Sequence, residues 1–208
     1  MEVQFYFDAM CPWTWLTSRW LVDVAGQRDV DIVWRTFSLP LLNEGRPIPP
    51  ALLEMVPDLV ERLAVGSQIL RLVESLRAAG RNDDIGRFYT ECGLRFHVGG
   101  VPPDRATLDE AARAAGVADQ LPAADDEQWD PPLRASLHEA MTRAGPDIGS
   151  PVIVLDGYYR GIFGPIVSPP PEGEDAVRLW DALVTLISMP RFLEIKRGRP
   201  DPPEIPGA

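Results

Sequence analysis

Lysine is almost absent from this chain: Lys196 stands alone among 20 basic residues. Cysteine and histidine are nearly as rare, with two of each in 208 residues. Two cysteines, Cys11 and Cys92, do not point to a structural disulfide in a reducing compartment, and the count and spacing of Cys and His offer no metal site. No apolar run reaches the roughly 18 residues that a bilayer span needs. A Gly-rich phosphate loop and a dinucleotide fingerprint are both missing, so no flavin or nicotinamide is expected to bind directly. Positive charge is also in deficit. A net charge of −11 makes nucleic acid and anionic membrane surfaces poor partners, because both repel an acidic field. The opening Met1-Glu2-Val3-Gln4 lacks a basic n-region, an apolar h-region and a cleavage site, which gives a cytoplasmic expectation.

What is present is an ordinary globular composition, 45% hydrophobic and 25% charged. The arginine-over-lysine bias and 22 prolines carry the mark of GC-rich coding. Val3-Gln4-Phe5-Tyr6-Phe7 reads as a buried strand. From Pro12 to about Ala25, Trp15, Leu16, Trp20, Leu21 and Val24 keep helical spacing, with Gly26 as the expected stop. Asp31 to Phe37 is a second strand, so the chain opens as a βαβ unit with a right-handed crossover.

From about Pro50 to Ala144 the pattern is helical. An amphipathic helix carries Leu59, Leu63, Ile69, Leu70, Val73 and Leu76 and ends at Gly80. Further helices are expected over Ile85 to Phe96, Thr107 to Ala115 and Pro132 to Arg143. Strands return at Pro151 to Leu155 and Tyr158 to Phe163, and the Asp156-Gly157 pair between them signals a hairpin. A helix over Ala176 to Ile187 follows, and the proline-rich tail from Arg197 is expected to hug the surface or fray. A βαβ unit, a helical block and a ββα unit make an α/β thioredoxin fold with a large all-helical insertion. The expected division is 1–48 and 146–208 for the thioredoxin fold and 49–145 for the inserted helical domain.

Chemistry concentrates where the first strand hands over to the first helix. Cys11 there meets unsatisfied backbone N–H groups and the positive end of the helix dipole, both of which favour thiolate, so a low-pKa nucleophile is expected. Pro12 suits the first helical turn. Gly149-Ser150-Pro151 precedes the third strand, and a proline in that place after two small residues is a candidate cis peptide. In a thioredoxin fold that turn packs beside the cysteine, and the backbone of Ser150 would pair with extended substrate.

Phe7-Asp8-Ala9-Met10-Cys11-Pro12-Trp13-Thr14-Trp15 resembles the active-site stretch of DsbA-like thioredoxin-fold proteins. Ser18-Arg19-Trp20, Ser38-Leu39 with Leu42-Asn43-Glu44, Arg95-Phe96-His97, Gly149-Ser150-Pro151, Phe163-Gly164-Pro165, Gly173-Glu174 and Leu179-Trp180-Asp181 narrow the resemblance. Together they are similar to the mycothiol-dependent nitroreductase subgroup. That resemblance implies a homodimeric cytoplasmic oxidoreductase that uses Cys11 as nucleophile and a low-molecular-weight thiol, mycothiol, as co-substrate. A small electrophile or disulfide would be the other substrate.

The chain departs from the family at Thr14, where a second cysteine belongs. A second thiol there would attack the mixed disulfide from the next helical turn, which Thr14 cannot do. The Thr14 hydroxyl can still hydrogen bond to the Cys11 thiolate, and a monothiol cycle with a soluble resolving thiol stays open. So does a transferase or isomerase chemistry resembling kappa-class glutathione transferases and hydroxychromene-carboxylate isomerases. A non-catalytic binding protein is the third possibility.

Other residues carry weaker readings. Cys92 could resolve a Cys11 disulfide but lies in an apolar helical stretch that favours a core role. His97 is placed either at the rim of the cleft or as a cation favoured by a helix C-terminus. His138 reads as a solvated helix face. Trp13 faces outward and could stack on substrate, whereas Trp15 and Trp20 have core spacing.

Overall fold

The computed structural model describes residues 1–199 and 202–208. Strand β1 (Glu2–Phe7) is central and pairs in parallel with β2 (Asp31–Thr36), in register from Glu2 opposite Asp31 to Phe7 opposite Thr36. On its other side β1 pairs antiparallel with β3 (Val152–Leu155), and the sheet order is β2-β1-β3-β4. The parallel pair is joined by helix α1 (Pro12–Gln27), which buries Trp15, Leu16, Trp20, Leu21 and Val24 as its spacing dictates. Gly26 does not end it. The helix runs one residue further, and Arg28 closes it in an extended conformation with its N–H on the Val24 carbonyl.

Between β2 and β3 every regular element is a helix. The chain forms α2 (Leu39–Leu42), α3 (Pro50–Met55), α4 (Leu59–Ala78), α5 (Asn82–Gly93), α6 (Arg105–Ala114) and α7 (Asp130–Ala144). Gly80, at φ +71°, follows α4 as expected, in a conformation that costs glycine little. A π-helical turn at Leu94–Val98 and 3-10 turns at Ala118–Asp125 and Glu127–Trp129 had no periodic signal to announce them.

These helices pack on the sheet in two clusters: α4, α5 and α6 share the larger core with β1, β2 and α1, and Leu137 and Ala140 of α7 close a smaller one with Tyr6, Phe37, Val152 and Val154. Phe7 stacks on Tyr89 of α5 at 4.2 Å, and Trp34 of β2 meets Tyr89 edge-on at 5.7 Å. Polar clamps tie β2 to two further helices. The Thr36 hydroxyl donates to the buried Glu74 carboxylate of α4, and the Thr36 carbonyl accepts from Ser136 Oγ of α7 at 2.7 Å.

The hairpin is shorter than its sequence suggests. Asp156-Gly157 does turn the chain, with Gly157 at φ +81° and the Tyr158 N–H on the Leu155 carbonyl at 3.2 Å. Strand β4, however, is only Ile162–Phe163, rather than Tyr158 to Phe163. The Gly161 N–H is taken by the Arg143 carbonyl of α7 at 3.0 Å instead of by the ladder. Helix α8 (Gly173–Ile187) then packs along α1, with Trp20 Nε1–H donating to the Ala176 carbonyl at 3.0 Å. The tail hugs the surface: Ile205 packs against the core, and the Glu204 N–H donates to Ser168 Oγ at 2.8 Å. A βαβ unit and a ββα unit in this order are the thioredoxin arrangement, here in its DsbA-like form with helices between the halves.

Candidate functional site

Cys11 is the N-cap of α1, with extended backbone angles (φ −83°, ψ 113°) and Pro12 at the first helical position. Its carbonyl accepts the first helical bond from the Trp15 N–H at 3.0 Å, and its own N–H turns back to the Asp8 carbonyl at 3.3 Å. The residue is half-buried. Burial pushes the Cys11 thiol up, and the Asp8 carboxylate adds to that. Hydrogen bonds from the Thr14 hydroxyl and from the N–H groups of Thr14 and Trp13 oppose both without reversing them. The expected low-pKa sulfur is therefore corrected. Desolvation by burial acts against the helix terminus and moves the Cys11 pKa up instead of down.

Asp8 organises the turn that carries the cysteine. Its Oδ1 accepts from the Met10 N–H and its Oδ2 from the Leu39 N–H, each at 2.9 Å, so one carboxyl ties the β1–α1 loop to the start of α2. Burial raises its pKa to about 6 against those two donors. The Asp8 N–H donates to Ser150 Oγ at 2.9 Å, and Thr14 Oγ1 lies 2.8 Å from the same oxygen. The Ser150–Pro151 bond is cis, as the sequence suggested, and its turn sits against residues on either side of Cys11.

Trp13 is half-buried, with the Arg199 guanidinium 5.7 Å from its ring centre and 5.8 Å from that of Phe163. Beside it the Thr17 hydroxyl donates to the Pro165 carbonyl at 2.8 Å. His97 is neither on the rim nor a helix-end cation. The π-helical turn carries it inward, where Nε2–H donates to the Ala9 carbonyl at 2.9 Å and the ring stacks on Trp15 at 5.9 Å. Burial lowers its pKa to about 4, so it is neutral near pH 7.

Cys92 is wholly buried among core side chains and free, and burial pushes its thiol far up. His138 is exposed on α7, and Trp15 and Trp20 are core residues. The structure thus brings Cys11, Pro12, Trp13, Thr14, Ser150 and Pro151 together, and sets His97 behind them as a support.

Sequence reasoning gave no role to three residues. Asp8 was visible in the motif, but its two backbone partners were not. Arg19 lies with its guanidinium 4.1 Å over Trp15 and Nη1 on Thr90 Oγ1 at 3.0 Å; its signal was a lone charge on the apolar side of α1. Arg199 belongs to a tail that carries no periodicity at all. Two grooves lie away from the cysteine. One, of about 290 Å³, is lined by Leu41, Leu137 and Ile148, and the other, of about 310 Å³, by Arg143, Tyr159 and Phe192. Neither includes Cys11. Among the described residues no three His, Cys, Asp or Glu side chains gather to hold a metal ion, and no helix is long and apolar enough to cross a membrane.

A family model described as Rv2466c-like, mycothiol-dependent nitroreductase Rv2466c, matches residues 10–197. The uncharacterized protein Rv2286c of Mycobacterium tuberculosis is 33% identical over 201 residues, covering 94% of this chain and 81% of that protein. Among solved structures, a probable DsbA oxidoreductase from Streptomyces coelicolor aligns over all of both chains, with a TM-score of 0.56 and 20% identity. The cytosolic disulfide reductase DsbM from Pseudomonas aeruginosa, solved with GSH, gives a TM-score of 0.57 at 16% identity over 89% of this chain and all of its own. A 2-hydroxychromene-2-carboxylate isomerase gives 0.58 at 16% identity, over 89% of this chain and 95% of its own. At such identities the solved structures show a common fold.

Proposed function

The chain belongs to the Rv2466c-like family of mycothiol-dependent nitroreductases, and on that premise we propose that it is a monothiol oxidoreductase with Cys11 as its nucleophile. The observation that carries this reading is the pairing of Thr14 with Ser150 at 2.8 Å, where a second cysteine would have to stand. Cys92, the remaining thiol, is locked in the core. An internal disulfide has no partner, so the resolving thiol comes from solution.

The cycle balances as two exchanges. The Cys11 thiolate attacks one sulfur of a small disulfide, forms the mixed disulfide and expels a thiolate. A soluble thiolate, mycothiol in the reading that the family supports, then attacks the sulfur bonded to Cys11 and regenerates the Cys11 thiolate. Cys11 must ionise for the first step, against the burial that pushes its thiol up. Trp13 offers an aromatic face beside the sulfur, and Ser150 with Pro151 forms the adjoining wall. His97 supports the turn from behind. We place the protein in the cytoplasm as a homodimer, with 49–145 inserted between the two parts of the thioredoxin fold, 1–48 and 146–208. Its partners are a soluble thiol and a small electrophile or disulfide.

Intact mass spectrometry after exposure to oxidised mycothiol, with oxidised glutathione in parallel, tests this. One adduct is expected, on Cys11, removed by excess reduced thiol and absent in Cys11→Ser. An adduct on Cys92, or none at all, overturns the reading. The burial that pushes the Cys11 thiol up favours a second reading, in which Cys11 and Thr14 donate hydrogen bonds to a bound thiol that attacks an electrophile. Conjugation or isomerisation of an electrophile without any Cys11 adduct would select it.

A further inference from the structure

The hydroxyl proton of Ser150 has no role in the cycle above. Ser150 is 5% exposed and Thr14 fully buried, so both hydroxyls are set among protein atoms. Among the described residues, Ser150 Oγ bonds only with the Asp8 N–H at 2.9 Å and with Thr14 Oγ1 at 2.8 Å. The first of these bonds has a fixed direction, since a backbone N–H can only donate. Ser150 Oγ is therefore an acceptor on its Asp8 side, and its own proton must go elsewhere.

Each hydroxyl carries one proton, which leaves two arrangements for the pair. If Thr14 donates to Ser150, the Ser150 proton is left without an acceptor and the Cys11 sulfur without a hydroxyl donor. If Ser150 donates to Thr14, the Thr14 proton is free for the sulfur one helical turn back, a hydrogen bond that lowers the Cys11 pKa. A thiol sulfur accepts weakly and a thiolate strongly, so ionisation of Cys11 drives the pair into the second arrangement. We propose that Ser150 is a positioning residue for Cys11. Its side chain, aimed by the Asp8 N–H, orders the hydroxyl protons from Ser150 to Thr14 to sulfur and so stabilises the thiolate. The inference rests on Cys11 as nucleophile. It gives the turn before Pro151 a side-chain task besides any backbone pairing with substrate.

The charged and titratable groups around the sulfur stay constant in the test. Asp8 raises the Cys11 pKa from beneath the turn, and Tyr89 of α5 and neutral His97 back it from the helical side. Arg19 faces Tyr89, Arg62 acts on His97, and Arg199 lies over Trp13. Substituting Ser150 or Thr14 alters none of these charges.

The experiment titrates iodoacetamide alkylation of Cys11 against pH in the full chain, for wild type, Ser150→Ala, Thr14→Val and the double variant. Thr14→Val should raise the titration by about one pH unit and Ser150→Ala by about half a unit, as expected for a hydrogen bond to a charged group and for its support. In the Thr14→Val background Ser150→Ala should add nothing, whereas a merely structural role would shift both backgrounds alike. Ser150→Thr, which keeps the hydroxyl, should restore the wild-type curve. Equal shifts in both backgrounds, or no shift in Ser150→Ala, overturn the proposal. If Ser150→Ala does not fold, Thr14→Ser against Thr14→Val reads the same chain from its other end, and identical curves overturn it. Iodoacetamide needs no mycothiol, so this test can fail while the Cys11 adduct forms, and succeed while it does not.

Discussion

The His97 Nε2–H donates to the Ala9 carbonyl at 2.9 Å, so the π-helical turn after α5 and the loop that presents Cys11 are one hydrogen bond apart. That bond requires a neutral ring with its proton on Nε2, in a place where burial lowers the pKa to about 4. On the other side of the same loop, burial raises Asp8 to about 6. The two groups pull stability in opposite directions with pH.

For His97 the unfolded chain binds protons more readily, so stability falls as pH drops from about 6.5 to about 4, by about 3 kcal/mol. For Asp8 the folded chain binds protons more readily, so stability falls as pH rises from about 4 to about 6, by a similar amount. Wild type should show nearly level urea midpoints between about pH 4.5 and 6 where these slopes cancel. His97→Gln, which keeps a donor for Ala9, should lose stability as pH rises across that window, and Asp8→Asn should gain it. Parallel profiles for both variants would contradict the assignment.

Cys11 should alkylate more slowly at neutral pH than an unhindered cysteine, with a rate still climbing near pH 9, because burial holds its thiol up. Asp8→Asn removes a nearby negative charge and should move the titration down. A plateau below about pH 8 in wild type would show that burial does not hold the thiol up in solution.

Thr14→Cys should form an internal disulfide with Cys11 and raise disulfide-linked reductase activity. Cys92→Ala should leave activity nearly unchanged and act on stability, since it empties a fully buried position. Non-reducing peptide mapping and reductase turnover read the two effects apart. A Cys11–Cys92 disulfide in oxidised wild type would refute the monothiol cycle.

Gly93→Ala should cost at least about 2 kcal/mol, because a Cβ there would fall 2.1 Å from a Trp15 ring atom. Trp15 cannot yield without disturbing the His97 ring stacked on it. Urea melts measure the loss, and a shift in the Cys11 alkylation rate would show that it reaches the site.

Local chemistry made much of this legible beforehand. Alternation marked β1, helical spacing marked α1, and a proline after two small residues marked the cis bond beside Cys11. Misreadings arose where distant parts of the chain decide the outcome. The Gly161 N–H goes to Arg143, eighteen positions earlier in sequence, and so β4 is cut short. The helix terminus at Cys11 is as the sequence implies, but the burial that raises its thiol depends on tertiary packing; Met10 beside it, for instance, lies against Gly66 of α4. His97 looked like a rim residue because nothing local announces a π-helical turn. Arg199 reaches Trp13 only because the tail folds back, and no periodicity encodes that.

The core that β1 and β2 share with α4 and α5 has a consequence for how the chain comes apart. Phe7, Trp34 and Tyr89 interlock across what the sequence marks as a boundary, and Thr36 holds both Glu74 and Ser136. Cutting out the helices would leave one face of the sheet wet and the Thr36 clamps empty. The fold should therefore melt in one cooperative step, with slow-exchanging amides on both sides of that boundary belonging to one unit, so that any motion exposing Cys11 arises from local fraying.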